Sequence, residues 1–415
     1  MHPLTLAFLL AIGLSTLVRL WLSQRQLRSL AEHRTRVPHT FAEHISLEAH
    51  QKAADYTAEL TRLGRIDTVL SALIALAFTV GGGIEWLDTH WSTVVASPLW
   101  RDVLVILSFV LISSLVDLPL SIWRTFRVEA KFGFNRTTLK LFVSDLLKGM
   151  LLGLVLGVPL LVAVLYLMER AGALWWAYAW LLWTAFTLLV SWAYPTFIAP
   201  LFNKFSPLSD ANLKTRVENL LHRCGFASKG IFVVDGSRRS AHGNAYFTGL
   251  GKNKRIVFFD TLMERLAPAE IEAVLAHELG HFRLHHVRQR LVLSLILGLA
   301  GFALLGALVQ WPPFYAALGV NEASAHAALL LLMLVLPAFT FFLTPLGSWW
   351  SRKHEFQADE FASEHADAHE LAQALVKLYR DNATTLTPDR VHSAFYDSHP
   401  PAPIRIARLQ SMGIH

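Results

Sequence analysis

The stretch Glu272–Gly301, EAVLAHELGHFRLHHVRQRLVLSLILGLAG, joins a histidine-rich segment to a long apolar run. His277 and His281 are four residues apart, so on a helix both side chains project from one face and can reach a single metal ion, with Glu278 beside them. Pro268 marks the start of that helix, because a proline at the first helical position loses no hydrogen bond. The stretch predicts a metal-dependent hydrolytic site directly beside a membrane span.

The composition is that of an integral membrane protein. Of 415 residues, 53% are apolar and only 16% are charged, which is unusual for a soluble chain. The net charge of +6 does not indicate nucleic acid binding, because basic residues of a membrane protein mainly set its orientation. A single cysteine, Cys224, excludes an intramolecular disulfide and a cysteine-rich metal cluster. Histidine and carboxylate side chains must therefore hold any metal.

Seven apolar stretches are long enough to cross a hydrocarbon core of roughly 30 Å as helices. The first has no basic leader and no small-residue cleavage site, so we interpret it as a retained span rather than a signal peptide. The glycine-rich segment TVGGGIEW, residues 79–86, interrupts the end of the second. The predicted spans are residues 3–22, 67–86, 102–123, 146–168, 173–195, 289–310 and 326–349.

Lys and Arg residues predict the orientation, because they concentrate in short cytoplasmic loops. The loops after spans one and three are rich in them, whereas the loops after spans two and four carry only Arg101 and Arg170. We expect the N-terminus outside, and the C-terminus and active site in the cytoplasm. The predicted domains are a membrane region, 1–196, and a cytoplasmic domain formed by 197–288 plus 350–415. Spans six and seven, within 289–349, would be inserted in that domain as a hairpin.

The first polar region has an α+β pattern. A helix is expected in DANLKTRVENLLHRCGF (210–226) and a strand in GIFVVDG (230–236). The segment NAYFTGLGKNKRIVFFD (244–260) is typical of a β-hairpin whose turn is Gly-Lys-Asn-Lys, residues 251–254. The histidine helix follows directly after this hairpin.

A catalytic zinc site needs a third protein ligand and an open position. His285 is an unfavourable third ligand, because four more residues of straight helix carry it about 6 Å further along. A carboxylate from another helix is favoured instead, and Glu355 and Asp359 lie at i and i+4 on the helix that leaves span seven. We interpret the basic cluster at the start of span six as an anchor at the lipid headgroups: Arg283, His285, His286, Arg288 and Arg290.

Several blocks of the chain resemble, in order, those of the type I CAAX prenyl proteases, integral-membrane zinc metallopeptidases that process prenylated proteins. The resemblance covers most of the chain and extends well beyond the zinc motif. The blocks are LPLSIWRTFRVEAKFGFNRTT (118–138), YPTFIAPLFNKFSPL (194–208), RRSAHGNAYFTG (238–249), LAHELGHF (275–282), RKHEFQADEFA (352–362) and YDSHPPAPIRIARL (396–409).

The resemblance implies a mostly α-helical polytopic membrane protein, with seven transmembrane helices around a chamber and a small α+β, gluzincin-type zinc metallopeptidase domain. It implies that His277, His281 and Glu355 bind one Zn²⁺ ion. Glu278 would be the general base. Asp359 would lie beside the metal, where it either orients a ligand imidazole or donates a proton.

The resemblance also implies roles for three residues that would otherwise look structural. His399 and Arg405 would approach the metal and stabilise the anionic tetrahedral intermediate, although the residues alone indicate only a turn and a surface charge. Asn244 would lie on an edge strand that pairs with an extended peptide, although it also fits as a plain hairpin residue.

We therefore expect a zinc metalloendopeptidase of the lipid bilayer, with CAAX-type C-terminal processing as its family activity. The substrate is a peptide or protein, with prenylated and membrane-embedded substrates both open, and no nucleic acid partner is expected. One alternative is a quality-control protease for membrane proteins. Another is a non-enzymatic metal-binding scaffold, which would not need Glu278. Short loops and residue usage indicate a bacterial inner-membrane protein; its natural substrate and oligomeric state stay open.

Overall fold

The computed structural model describes residues 1–226, 230–248 and 255–412, and most of these are helical. Six helical segments among them are long and apolar enough to cross a membrane: Pro3–His33, Pro98–Glu129, Leu139–Arg170, Gly172–Phe202, His286–Leu308 and Ala325–His365. A seventh candidate is the pair Leu47–Phe78 and Gly83–Val94, which is bent by 54°. Each predicted span therefore has a helical counterpart; most of these helices extend beyond the predicted ends, whereas that of span six ends at Leu308, before the predicted residue 310.

Seventeen α-helices can be numbered along the described residues. They are α1 (Pro3–His33), α2 (Leu47–Phe78), α3 (Gly83–Val94), α4 (Pro98–Trp123), α5 (Leu139–Arg170), α6 (Trp175–Ala193), α7 (Ala199–Phe202), α8 (Ala211–Arg223), α9 (Asp260–Met263), α10 (Pro268–Arg283), α11 (His286–Leu308), α12 (Pro312–Ala316), α13 (Ala325–Thr340), α14 (Thr344–His365), α15 (Ala368–Asp381), α16 (Arg390–Tyr396) and α17 (Ala402–Met412). Two π-helical turns, Arg124–Glu129 and Tyr194–Ile198, continue α4 and α6. Short 3₁₀ turns occur at His39–Phe41, Gly172–Leu174, Gly236–Arg238 and Phe341–Leu343.

The break between α2 and α3 has a local cause. Gly82 adopts a left-handed backbone with φ of 75°, which glycine reaches without steric cost. Thr79 is the C-cap of α2, and both its backbone N–H and its Oγ1 donate to the carbonyl of Ala75. A Cβ at Gly319 would lie 2.3 Å from the carbonyl oxygen of Thr79, so that loop packs directly on the break. The interruption predicted at residues 79–86 is therefore present.

Four strands form one small mixed sheet in the order β1-β2-β4-β3. The strands are β1 (Phe205–Pro207), β2 (Ile231–Val234), β3 (Ala245–Thr248) and β4 (Arg255–Phe259). β2 runs parallel to β4, whereas β1 and β3 are antiparallel to their neighbours and lie at the two edges. The predicted pairing of β3 with β4 is confirmed by the register of Ala245 with Phe258, and its turn, residues 251–254, lies outside the described residues.

One hydrophobic core surrounds the sheet and α10. It draws buried side chains from α8, β2, β4, α10, α14, α15 and α17, and also includes Phe41 and Ile45 from the segment after α1. A second core lies among α1, α3, α4, α5, α6, α11 and α13. Residues from both predicted polar segments share the first core; the predicted domain boundaries themselves stay a prediction.

The histidine helix and span six are separate helices, joined by a sharp turn. α10 ends at Arg283 and α11 begins at His286, with His285 between them in a left-handed conformation at φ of 62°. Histidine is one of the few non-glycine residues that tolerate this conformation. The turn redirects the chain and brings His286 back towards the end of α10.

Candidate active site

α10 presents the two motif histidines from a helix that is fixed in the core. Its apolar residues Ile271, Leu275 and Leu279 are buried. At its start, the Glu270 carboxylate accepts a hydrogen bond of 2.7 Å from the backbone N–H of Ala267 and one of 2.8 Å from the Lys377 ammonium. The Glu270 interaction satisfies an N–H that a helix start leaves without an intrahelical partner. The helix start predicted at Pro268 is therefore confirmed.

α14 packs across α10 and brings Glu355 to the two histidines. Nε2 of His277 lies 3.3 Å from Nε2 of His281. The Glu355 carboxylate lies 3.5 Å from Nε2 of His277 and 3.4 Å from Nε2 of His281. Among the described residues, these three are the one group of His, Cys, Asp or Glu side chains close enough to hold a metal ion together.

The group fits a cation. Oε2 of Glu355 is buried and has no hydrogen-bond partner among the described residues, and a buried carboxylate oxygen without one is costly. Burial and the Arg405 charge act to lower the pKa of His277, but the Asp359 and Glu355 carboxylates outweigh them and raise it to about 9. The pocket therefore favours a positive charge at this point.

Asp359 and Arg405 form a buried pair behind His277. Oδ1 of Asp359 lies 2.9 Å from Nδ1 of His277, the ring nitrogen that points away from Glu355. Arg405 donates two hydrogen bonds to the same carboxylate, at 2.8 and 2.7 Å, and its side chain is only 5% exposed. Nη1 of Arg405 is also 3.6 Å from Oε2 of Glu355. Asp359 thus contacts the His277 imidazole directly, and Arg405 contacts both the Asp359 carboxylate and the same imidazole, with Nη2 3.2 Å from Nδ1 of His277.

Glu278 lies on α10 beside the two histidines and is partly buried. Burial raises the pKa of its carboxyl above the ordinary value, while the neighbouring histidines oppose that shift. A carboxylate with a raised pKa binds a proton more readily at neutral pH, as a general base must.

His399 lies at the exposed side of the metal-binding group, and Asn244 lies at an edge of the sheet. Nε2 of His399 is 3.6 Å from Oε2 of Glu355, and the His399 side chain is 65% exposed. Asn244 is exposed and directly precedes the edge strand β3, which lies next to α10. Its backbone carbonyl accepts a hydrogen bond from Phe259, so Asn244 extends the β3–β4 ladder by one position.

His286 was assigned to the headgroup anchor, and this assignment is wrong. The residue is 2% exposed, and its Nδ1 lies 3.0 Å from Nδ1 of His281. The other members of that basic cluster are exposed, as expected. No periodicity signals the contact, because it depends on the left-handed turn at His285.

The chain is similar in sequence to one family of known proteins over nearly its whole length. Residues 26–204 match the model of the CAAX prenyl protease N-terminal region with five membrane helices, and residues 207–413 match that of peptidase family M48. The Arabidopsis thaliana CAAX prenyl protease 1 homolog is 33% identical, with 90% of each chain covered. The human homolog is 30% identical, covering 96% of this chain and 94% of that protein. The chain belongs to the CAAX prenyl protease 1 family of M48 peptidases.

The fold supports the same conclusion. The crystal structure of S. mikatae Ste24p superposes with a TM-score of 0.89, at 30% identity and with 99% of each chain covered. The protein is therefore a multi-pass membrane metalloprotease that hydrolyses peptide bonds, and the family implies a metal cofactor. This outcome confirms the expected fold class and enzyme class.

Proposed function

We propose that the chain is a zinc endopeptidase in which His277, His281 and Glu355 are the metal ligands. The observation that carries the proposal is the grouping of their ligand atoms. The two histidine Nε2 atoms are 3.3 Å apart, Oε2 of Glu355 is 3.5 Å from Nε2 of His277, and Oε1 of Glu355 is 3.4 Å from Nε2 of His281. Zinc binds nitrogen and oxygen ligands at about 2.0–2.2 Å in a tetrahedron, whose corners are then about 3.3–3.6 Å apart. Two imidazoles and one carboxylate, with the fourth position open, are also the donor set of known catalytic zinc sites.

Bound zinc would act as a Lewis acid: it would polarise the scissile carbonyl and lower the pKa of the attacking water towards 7. Glu278 is proposed as the general base, which accepts a proton from the attacking water and delivers it to the leaving amine. Its position beside both histidines and its raised pKa support this role.

The remaining polar residues are proposed to position the ligands and the substrate. Asp359 accepts the Nδ1 proton of His277 and so keeps Nε2 free for the metal, which favours the positioning role over proton donation. Arg405 fixes the Asp359 carboxylate. His399, exposed beside Glu355, is better placed than the buried Arg405 to donate a hydrogen bond to an oxyanion that develops on the substrate.

Asn244 and β3 are proposed to bind the peptide backbone. β3 is at the end of the strand order, so its outer edge carries backbone groups that an extended peptide can pair with. β3 also lies next to α10, which carries Glu278. A substrate paired with this edge would run beside the proposed base.

The proposed substrate class is the C-terminal CAAX segment of a prenylated protein. The support is that relatives with 30–33% identity over nearly the whole chain are CAAX prenyl protease 1 homologs. A quality-control protease would share the same chemistry without a prenyl requirement, and nothing in the described residues favours it specifically. A scaffold without activity does not require the partly buried Glu278.

We propose that the zinc-binding end of the molecule faces the cytoplasm and that the host membrane is a bacterial inner membrane. The support is the excess of Lys and Arg in the segments that follow the first and third predicted spans. Reporter fusions to the N- and C-termini would test it; a C-terminal fusion active only outside the cytoplasm would refute the orientation.

The decisive experiment compares the wild type, Glu278→Gln and the control Glu264→Gln, which changes an exposed carboxylate before α10. Bound zinc is measured, and cleavage of a farnesylated CAAX peptide is followed beside its unprenylated twin. We expect Glu278→Gln to keep zinc and lose about 10²–10⁴-fold in rate. Turnover equal to that of the wild type would refute the base assignment, and equal cleavage of both peptides would refute the prenyl requirement.

A further inference from the structure

His286 occupies a position that no part of the proposed mechanism has used. It is the first residue of α11, yet it is buried beneath His281 because the chain turns at His285. Its imidazole contacts three polar or aromatic groups. Nδ1 lies 3.0 Å from Nδ1 of His281, Nε2 lies 3.1 Å from Oε1 of Gln357, and the ring stacks on His354 at 3.9 Å with an interplanar angle of 6°.

The hydrogen positions in this chain of contacts follow from the ligand assignment. Nε2 of His281 faces Nε2 of His277 and the Glu355 carboxylate, so Nε2 is the atom available to a metal. Its lone pair must then be free, which leaves the proton of a neutral His281 on Nδ1. Nδ1–H of His281 can therefore only donate, and Nδ1 of His286 must accept.

The tautomer of His286 follows from that of His281. With Nδ1 as acceptor, the proton of a neutral His286 lies on Nε2, where it donates to the carbonyl oxygen of the Gln357 amide. A glutamine oxygen is an acceptor only, so it stabilises this tautomer against the other. The three side chains then form one directional series, from His281 through His286 to Gln357.

The ring plane of His286 is also fixed. His354 stacks on one face of the imidazole and is itself held by Oε1 of Gln289 at 3.1 Å and by the ring of Trp350 at 4.6 Å. Gln357 and His354 belong to α14, the helix that carries Glu355. The contacts of His286 therefore link the helix with the third ligand to His281 on α10.

We propose that His286 is a positioning residue for His281: it accepts the Nδ1 proton of His281 and thereby holds Nε2 in the metal-binding tautomer and orientation. Gln357 sets the tautomer of His286. This inference rests on the proposed ligand set. The two histidine ligands would then be oriented differently, His277 by the charged Asp359 and His281 by a neutral imidazole.

Zinc affinity is the direct test, because it does not depend on turnover. The purified full-length chain is titrated with zinc against a competing chelator, as wild type, His286→Ala, His286→Asn and His285→Asn. We expect His286→Ala to weaken zinc binding about 10–100-fold. His286→Asn should restore most of the loss, since the amide oxygen is an acceptor close to the former Nδ1 position. The exposed His285 is the control, and asparagine tolerates its left-handed backbone.

The outcomes separate the possible explanations. Wild-type affinity in His286→Ala, or an equal loss in the alanine and asparagine variants, would overturn the positioning role. The thermal unfolding of each metal-free variant identifies a loss that is merely structural, and the asparagine variant keeps the test valid if alanine unfolds. A wild type that binds no stoichiometric zinc would refute the proposed ligand set itself, which is a different result from a failure of His286 alone.

Discussion

Gly280 of α10 and Ala358 of α14 are in direct backbone contact. A Cβ added to Gly280 would lie 3.0 Å from Cα of Ala358, 3.2 Å from its carbonyl oxygen and 3.1 Å from Cβ of Phe361. Such distances are shorter than ordinary van der Waals contacts between carbon atoms. The glycine inside the His-Glu-Leu-Gly-His motif therefore lets α14 approach α10 closely enough for Glu355 to reach both histidines.

The Gly280→Ala variant should lose metal affinity more than it loses stability. The added methyl group must displace α14 by a few tenths of an ångström, and Glu355 moves with it. Overpacking costs about 1–3 kcal/mol, whereas alanine returns about 1 kcal/mol of helix propensity. We expect the midpoint of thermal unfolding to change little and zinc affinity to fall, measured by differential scanning fluorimetry and chelator competition.

The matched control is Gly301→Ala in α11, where an added Cβ meets no atom within 4 Å. This variant should be neutral or slightly more stable and should bind zinc like the wild type. Unchanged zinc affinity in Gly280→Ala would contradict the role assigned to the close approach.

Asp359→Asn tests whether the Asp359 carboxylate positions the His277 imidazole. The amide keeps the shape of the side chain but removes the negative charge of the carboxylate, which accepts hydrogen bonds from Nδ1 of His277 and from Arg405. We expect zinc affinity to fall about 10–100-fold, with a parallel loss of peptide hydrolysis. The neighbouring Glu360→Gln is the control, because Glu360 is exposed and its carboxylate is 3.7 Å from Arg408. Full zinc affinity in Asp359→Asn would leave Asp359 without a positioning role.

Asn382→Ala should weaken substrate binding more than the chemical step. Asn382 accepts a hydrogen bond from the backbone N–H of Gly243 at 3.0 Å and donates one to the Gly243 carbonyl at 3.3 Å. These bonds fix the chain immediately before Asn244 and β3. We expect KM for a CAAX peptide to rise about 5- to 30-fold, from about 1 kcal/mol for each of the two lost hydrogen bonds, with kcat less affected. A fall in kcat with unchanged KM would argue against β3 as the peptide-binding edge.

The membrane helices and the two motif histidines could be predicted from the sequence because each depends on local information. Long apolar runs specify spans, and the four-residue spacing places His277 and His281 on one helical face whatever surrounds them. The sequence also placed Glu355 and Asp359 on one helix, and that helix is α14.

Other features depend on contacts that no local pattern encodes. The pair of Asp359 and Arg405 joins residues that are 46 positions apart. The strand β1 is only three residues long and ends at Pro207, so it lacks any strand signal. His286 was misassigned because the left-handed turn at His285 contains neither glycine nor proline, the residues that usually mark such a turn.

The ion pair between Asp389 and Arg25 links the first membrane helix to the segment that carries His399 and Arg405. Arg25 of α1 donates two hydrogen bonds to Asp389, at 3.0 and 2.9 Å. The same carboxylate caps α16 by accepting from the backbone N–H groups of Val391 and His392. Asp389 therefore connects α1 to the helix that precedes the site residues.

Burial alone would raise the pKa of Asp389, but the hydrogen bonds from Arg25 and from the backbone of His392 lower it below its ordinary value. Because the pKa of Asp389 is lower in the folded protein than in the unfolded chain, the ionised carboxylate stabilises the fold. This stabilisation is fully present above the pKa of the unfolded chain, near 4, and is lost as the pH falls through the pKa of the folded protein. The interaction is thus intact at neutral pH.

We expect Asp389→Ala to lower the free energy of unfolding by about 1–3 kcal/mol at neutral pH, since it removes a helix cap and a charged hydrogen-bond acceptor together. Asp381→Ala is the control: among the described residues, Asp381 pairs only with the adjacent Arg380, whose side chain is 44% exposed, and this pair should contribute less than about 1 kcal/mol. Chemical unfolding of the detergent-solubilised chain measures both. If the two variants are equally stable, the link between α1 and α16 does not stabilise the site.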